Sequence, residues 1–234
     1  MRIASLGQVL LRLALEALAP NRCLGCEALE PRASGYCDDC GTPIPLLDVA
    51  FQLDGVPVFA GTRYAEPVIS AIHRFKYGAE PELCGALSAL SGRAIDLLGI
   101  EPGDVWVPVP LHPLRLAERG YNQAALLAQE FARLAHGKVD PRRLRRLRHT
   151  DQQAKRDRRE RGENVARAFA VRERTQGSGE RVVLVDDVVT TGATLAACID
   201  ALRARGDQVV GCVAIAHADT IRPRESRAKN APGG

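Results

Sequence analysis

The chain has 234 residues, 46% of them hydrophobic and 26% charged, with a formal net charge of +4 at pH 7. That length holds one good-sized domain plus a small appendage, and the composition excludes a fibrous or disordered chain. The mild charge excess is unevenly spread: residues 140–163 carry ten Arg or Lys against five Asp or Glu, a segment suited to face a polyanion.

Residues 1–20, MRIASLGQVLLRLALEALAP, open with Arg2 and an apolar run that Arg12 and Glu16 interrupt. The run lacks the unbroken core of an export signal and is far short of a membrane span, so it reads as an amphipathic helix ended by Pro20. A cytoplasmic chain without a membrane span is expected. Seven cysteines, an odd number, fit that compartment better than a disulfide framework does.

Four of the cysteines, Cys23, Cys26, Cys37 and Cys40, form two C-x2-C pairs ten residues apart. Each pair can direct two thiolates to one tetrahedral ion, and four thiolates close the shell, which makes a structural zinc site. A loop this short, with Gly25, Pro31 and Gly35, buries no core, so metal binding must supply its folding energy. Four free or redox-active thiols are the alternative. Cys84, Cys198 and Cys212 stand singly in apolar runs and read as core.

After a Pro-containing connector over residues 42–57, VFAGTRY reads as a strand. A helix follows in which Val68, Ile69, Ile72 and Phe75 recur at helical spacing before Gly78. Its HRFKYG end presents His73, Arg74 and Lys76, a basic face either solvated or turned to a ligand. A second helix over residues 82–98 precedes the strand DVWVPVP. Next come a polar loop, LHPLRLAERGYNQ, and a helix over residues 124–134 with Leu127, Phe131 and Leu134 on one side. Strand, loop and helix make the βα half of a parallel unit.

FAV gives a further strand, and then VVLVDDVVTTGAT opens on four apolar residues that read as a central parallel strand buried on both faces. The strand is expected to end in Asp186 and Asp187. Adjacent carboxylates repel each other and lose hydration, so they need solvent, a cation or a ligand rich in hydroxyls. Behind them Thr190, Thr191 and Thr194 are donors, Gly192 allows close backbone approach, and a helix over residues 193–205 begins with free N–H groups, a cradle that suits phosphate. A ribose 5-phosphate, with cis hydroxyls at one end and phosphate at the other, has the matching shape.

The strand QVVGCVAIA follows across the helical crossover, and the tail beyond Ile221 reads as disordered. The expected fold is α/β, a parallel sheet flanked by helices. The VPVPLH and VVLVDDVVTTGAT loops would share a site at the carboxyl ends of the strands. Three regions are expected: a helix and cysteine knuckle over residues 1–50, the sheet domain over residues 51–220, and a tail over residues 221–234. Haloacid-dehalogenase-like phosphatases also carry acids after a strand, but one residue apart. A receiver-like site needs further acids and a Lys on other strands, with no matching set here.

The sequence resembles the type I phosphoribosyltransferases, whose motif for phosphoribosyl pyrophosphate (PRPP) is an apolar strand, two acids, two residues and Thr-Thr-Gly-x-Thr. More closely, it resembles the ComF family from the cysteine knuckle to about residue 217. The cysteine array, the Lys76 of HRFKYG, VPVPLHPLRLAERGYNQ, HTDQQAKRDRRERGENVARAF and the acid–threonine motif stand in the family's order.

The resemblance implies a type I phosphoribosyltransferase-like fold and a PRPP site. Asp186 and Asp187 would be the catalytic pair, holding the ribose hydroxyls directly or through Mg²⁺. Thr190, Thr191, Gly192, Ala193 and Thr194 would wrap the 5′-phosphate, and Lys76 joins the ligand residues. The loop with Leu111 and His112 would take pyrophosphate, with Leu111–His112 the place for a non-proline cis peptide. Arg115 and Arg119 just beyond would each offer a planar fork to phosphate oxygens.

Catalysis would rest on positioning, Mg²⁺ and charge neutralisation under a mobile loop over residues 149–164, with the acceptor unspecified. The other implied function is a non-catalytic, PRPP-responsive factor of DNA uptake whose Arg-rich segment and knuckle contact single-stranded DNA. An aromatic content of 4% provides few base-stacking platforms for it.

Overall fold

Val182, Val183, Leu184 and Val185 are each 0% exposed in the computed structural model, so neither face of their strand meets water. The structure describes residues 22–28, 35–41, 44, 46–147, 168–171 and 179–218. The expected N-terminal helix, the C-terminal tail and most of the Arg-rich segment lie outside the described residues.

The main sheet has six strands: β1 Leu46–Leu53, β2 Val56–Arg63, β3 Val105–Pro108, β4 Lys138–Val139, and, after a separate ribbon, β7 Arg181–Val189 and β8 Gln208–His217. Their order is β1-β2-β8-β7-β3-β4. β2, β8, β7, β3 and β4 are mutually parallel, and only the edge strand β1 runs antiparallel. β7 lies inside the sheet, as its continuous apolar run predicts.

The helices are α1 Asp38–Gly41, α2 Val68–Tyr77, α3 Cys84–Ala89, α4 Gly92–Leu97, α5 Pro113–Arg119, α6 Gln123–Leu134 and α7 Ala193–Arg203. Successive residues of β7 face opposite sides and feed two cores. Val183 and Val185 pack with Phe75 of α2 and with Leu127 and Phe131 of α6. Val182 and Leu184 pack with Leu195 and Ile199 of α7. The crossover from β3 therefore covers one face and leads to β4, while the crossover from β7 covers the other and leads to β8. The chain leaves these two neighbours in opposite directions, and a crevice opens at their carboxyl ends.

Four expectations are corrected. The residue 42–57 connector contains β1, closed onto β2 by Asp54 and Gly55 with φ of 49° and 79°, the positive pair a two-residue hairpin turn requires. The helix over residues 82–98 is a 3-10 turn, Pro81–Leu83, followed by α3 and α4 with a break at Leu90 and Ser91. FAV does not join the main sheet. As β6 Phe169–Val171 it pairs antiparallel with β5 Leu144–Arg146 in a separate ribbon. Finally, β7 does not stop at the two acids but continues to Val189, because β8 accompanies it to His217. Among the described residues no helix is long and apolar enough to cross a membrane.

Candidate functional site

β3 pairs with β7 from Val105 and Val182 as far as Pro108 and Val185, and a last bond joins the Val109 N–H to the Val185 carbonyl at 2.8 Å. From Asp186 onward β7 keeps only β8 beside it. The two acids thus stand where the sheet splits. Strand alternation sends them to opposite faces, which relieves part of the repulsion that adjacency alone suggests.

Asp187 turns to the face covered by α2 and α6 and is 6% exposed. Lys76 Nζ lies 3.0 Å from its Oδ1, and Gln123 Nε2 donates to its Oδ2 at 2.8 Å. Burial works against the charge on Lys76, but Asp187 outweighs it and holds the ammonium above its ordinary value. Asp186 turns to the other face, where Arg146, Cys198 and Cys212 sense its charge, and its Oδ1 accepts the Asp187 N–H at 2.9 Å. Burial first, and the negative charge of Asp187 second, push the Asp186 carboxyl up to about 7.

Beyond Val189 the chain turns through the exposed Thr190 and Thr191 to Gly192, which caps α7 with φ 76° and ψ −2°. A Cβ there would meet Leu53 Cδ1 at 2.8 Å, so glycine is required both by the left-handed backbone and by the side chain above it. The Ala193 N–H points back to Thr191 Oγ1 at 3.4 Å. The first-turn N–H groups of α7 have no carbonyl of their own helix to meet, so threonine hydroxyls and orphan N–H groups stand side by side at the start of the helix.

The β3 loop borders the same crevice. His112 caps α5, its Nδ1 accepting the Leu114 N–H at 3.3 Å, and Pro113 begins the helix. The Leu111–His112 bond is not cis; among the described residues the cis peptide is Glu66–Pro67. Capping by an extended His112 (φ −64°, ψ 144°) followed by proline turns the chain without one. Asn122 caps α6 while its Nδ2 donates to the Val109 carbonyl at 3.0 Å, and the Tyr121 hydroxyl donates to the Phe75 carbonyl of α2. Arg115 pairs within α5 with Glu118 at 3.6 Å. Arg119 lies over the Tyr77 ring, 4.8 Å from its centroid, and its buried Nη1 has no hydrogen-bond partner among the described residues.

Two features escaped the sequence reading. Gln123, the last residue of GYNQ, is a buried partner of Asp187, and no local pattern marks an amide for that role. The basic face of α2 is also not simply solvated. Arg74 pairs with Glu80 and, at 3.9 Å, with Glu27, while Lys76 turns to Asp187, which leaves His73 as the exposed member.

At the far end of α2 the Sγ atoms of Cys23, Cys26, Cys37 and Cys40 lie within 4.8 Å of one another, and those of Cys26 and Cys37 are 3.7 Å apart. Thiolates about 2.3 Å from a tetrahedral zinc stand about 3.8 Å from each other, so the cluster is compatible with a structural zinc. Burial opposes ionisation of Cys23, but backbone N–H groups of Cys37, Cys26 and Gly25 bring its thiol down to about 6. At Gly25 a Cβ would meet Pro67 at 2.6 Å and Cys40 Sγ at 2.9 Å. Cys198 and Cys212 are fully buried core residues, as expected.

A phosphoribosyl transferase domain model matches residues 116–231. The DNA utilization protein YhgH of Escherichia coli K12 is 35% identical over 153 residues, 63% of this chain and 66% of that protein, just under two thirds of its length. Competence protein F of Haemophilus influenzae is 28% identical over 209 residues, 84% of this chain and 90% of that one. Competence protein ComFC of Bacillus subtilis is 30% identical over 132 residues, 56% and 52% of the two chains.

The chain belongs to the ComF family. Its transferase domain and its four-cysteine knuckle stand in one ComF chain, and the sheet is that of a type I phosphoribosyltransferase-like domain. Crystal structures of TT1426 from Thermus thermophilus (20% identical, 59% and 85% of the two chains, TM-score 0.35) and of an adenine phosphoribosyltransferase from Leishmania tarentolae (14%, 61% and 74%, TM-score 0.35) also overlay in part on this ComF chain.

Proposed function

We propose that this chain binds PRPP with Mg²⁺ at the crevice between β3 and β7 and transfers the phosphoribosyl group to an acceptor, releasing pyrophosphate, in the cytoplasm. One observation carries the reading. The acid pair, the threonine turn and the left-handed Gly192 at the start of α7 stand together where β3 leaves β7. Ionised Asp186 and Asp187 are acceptors and a vicinal diol offers two donors. Residues 190–194 give the 5′-phosphate hydroxyls and N–H groups. The Leu111–His112 loop and Arg119 Nη1, which has no partner among the described residues, are the donors for pyrophosphate.

In the reaction the bond from C1 to the pyrophosphate oxygen breaks with its electron pair on the leaving group, and the acceptor's lone pair forms the new bond. Asp186 and Asp187 offer the hard oxygen ligands that Mg²⁺ prefers, and the ion would supply neutralisation of the leaving charge. Cys23, Cys26, Cys37 and Cys40 would hold one structural zinc. Metal analysis of protein purified without chelator is expected to find one equivalent, and less than half an equivalent removes this assignment.

Calorimetric titration with PRPP and Mg²⁺ tests the site. Asp187→Asn and Thr191→Ala are each expected to weaken binding by roughly ten-fold or more, the value of a hydrogen bond to a charged group, while the fold persists. Unchanged affinity in both would move the site elsewhere. Pyrophosphate release with a cell extract as acceptor source then tests turnover.

The relatives' names, DNA utilization and competence, support a second reading in which the chain handles single-stranded DNA. The β5–β6 ribbon and the bond from the Leu147 N–H to the Ala168 carbonyl at 2.7 Å bring together the described residues on either side of positions 148–167, where most of the arginines of this region lie. DNA affinity should then fall with salt by a slope of about −0.7 per phosphate contact, and replacing Arg156 and Arg158 should flatten it. A slope indifferent to those replacements removes this reading.

A further inference from the structure

A carboxylate as deep as Asp187 must be paired or it loses far more hydration than it regains. Its two oxygens are met from two elements. Lys76 stands near the end of α2, where the adjacent Phe75 carbonyl accepts the Tyr121 hydroxyl. Gln123 is the first residue of α6, and the Asn122 cap, bonded to the Val109 carbonyl, fixes that helix start to the β3 loop. Both donors are therefore clamped independently of any ligand. The Gln123 amide has one usable orientation, since only its NH₂ end can face a carboxylate, and its buried Oε1 has no hydrogen-bond partner among the described residues. Lys76, its side chain 19% exposed, directs its ammonium to Oδ1 at 3.0 Å. Turning it to a phosphate would strip a buried carboxylate of its countercharge.

We propose that Lys76 and Gln123 are positioning residues that fix the Asp187 carboxylate from two sides, and that Lys76 acts on ligand only through Asp187. The ligand part of this rests on the PRPP reading of the site. Lys76 then does not contact phosphate, and its influence is confined to the ribose end of the ligand. The two acids divide the work. Asp187 is held rigidly on the α2–α6 face, while Asp186 stands on the other face, where Arg146 senses its charge.

The test is a double-mutant cycle read with two probes, PRPP with Mg²⁺ and inorganic pyrophosphate without it, so that the second probe does not draw on the Mg²⁺ that Asp187 is proposed to hold. Lys76→Met is expected to weaken PRPP binding roughly ten-fold or more in the unaltered background. It should add little once Asp187→Asn is present, because both changes remove one interaction. Lys76→Arg should restore most of the loss, and pyrophosphate affinity should stay level throughout. Additive effects on PRPP, or loss of pyrophosphate binding in Lys76→Met, would overturn the proposal and make Lys76 a phosphate ligand.

A ligand-free measurement keeps the proposal separate from the PRPP reading. In protein carrying ¹³C-labelled aspartate, the Asp187 carboxyl resonance should move in Lys76→Met and in Gln123→Met. If it stays in place, the two residues do not hold Asp187 and the proposal fails. If the unaltered protein binds no PRPP, the ligand assignment falls, and the carboxyl resonance still decides whether Lys76 and Gln123 hold Asp187.

Discussion

Asp186 and Asp187 are the same side chain one position apart, yet the strand gives them opposite surroundings. Asp187 has a lysine and an amide, whereas Asp186 has burial and a negative neighbour that push its carboxyl up to about 7. A folded-state value above the unfolded one means that the folded chain holds this proton more tightly. The stabilising contribution is complete below about pH 4 and is lost as pH rises through about 7. Asp186→Asn should therefore raise the Tm of ligand-free protein at pH 8 by about 2–4 °C, with a smaller gain at pH 5. A lower Tm at pH 8 would contradict the assignment. The acids and the threonine turn were legible because a polar cluster after an apolar run is a local pattern. Gln123 was not legible, since it meets Asp187 across 64 residues of sequence and nothing near it announces the contact.

Among the elements, the central strands were readable from apolar runs alone, since a strand buried on both faces needs no alternation. The break between α3 and α4 was not, because its cause lies on other strands. The Leu90 carbonyl sits where a Cβ on Gly61 of β2 would be, 2.1 Å away, and the buried Ser91 hydroxyl donates to the Ala214 carbonyl of β8 at 2.8 Å. The sheet thus cuts a helix that its own periodicity would continue, an override of local propensity by packing. Gly61→Ala should destabilise the domain by about 1–3 kcal/mol through overpacking, read as a lower midpoint in urea unfolding. An unchanged midpoint would show that the helix break does not depend on that contact. The β1 hairpin is masked for a different reason: Pro43, Pro45 and Pro57 give the stretch the composition of a connector, although the Asp54-Gly55 turn is the stronger signal.

At the scale of the molecule, α2 joins the knuckle to the site. Arg74 reaches the knuckle, with Nη1 donating to the Leu24 carbonyl at 3.5 Å and Nε forming an ion pair with Glu27 at 3.9 Å, and two residues later Lys76 reaches Asp187. Cys23, Leu24 and Tyr36 of the knuckle share one core with Phe75 and Val68 of α2. A metal that orders the knuckle would hold this helix in place, and a helix that shifts carries its lysine away from the carboxylate. Stripping the metal with a chelator is therefore expected to weaken PRPP binding by about five-fold or more, the lower range of coupling between distinct sites. Linkage is reciprocal, so saturating PRPP should slow metal loss to the chelator. Arg74→Ala, which leaves all four cysteines in place, should reduce both effects together. Metal-free protein that binds PRPP as tightly as the loaded form would show that the knuckle serves another surface and that α2 holds its position without it.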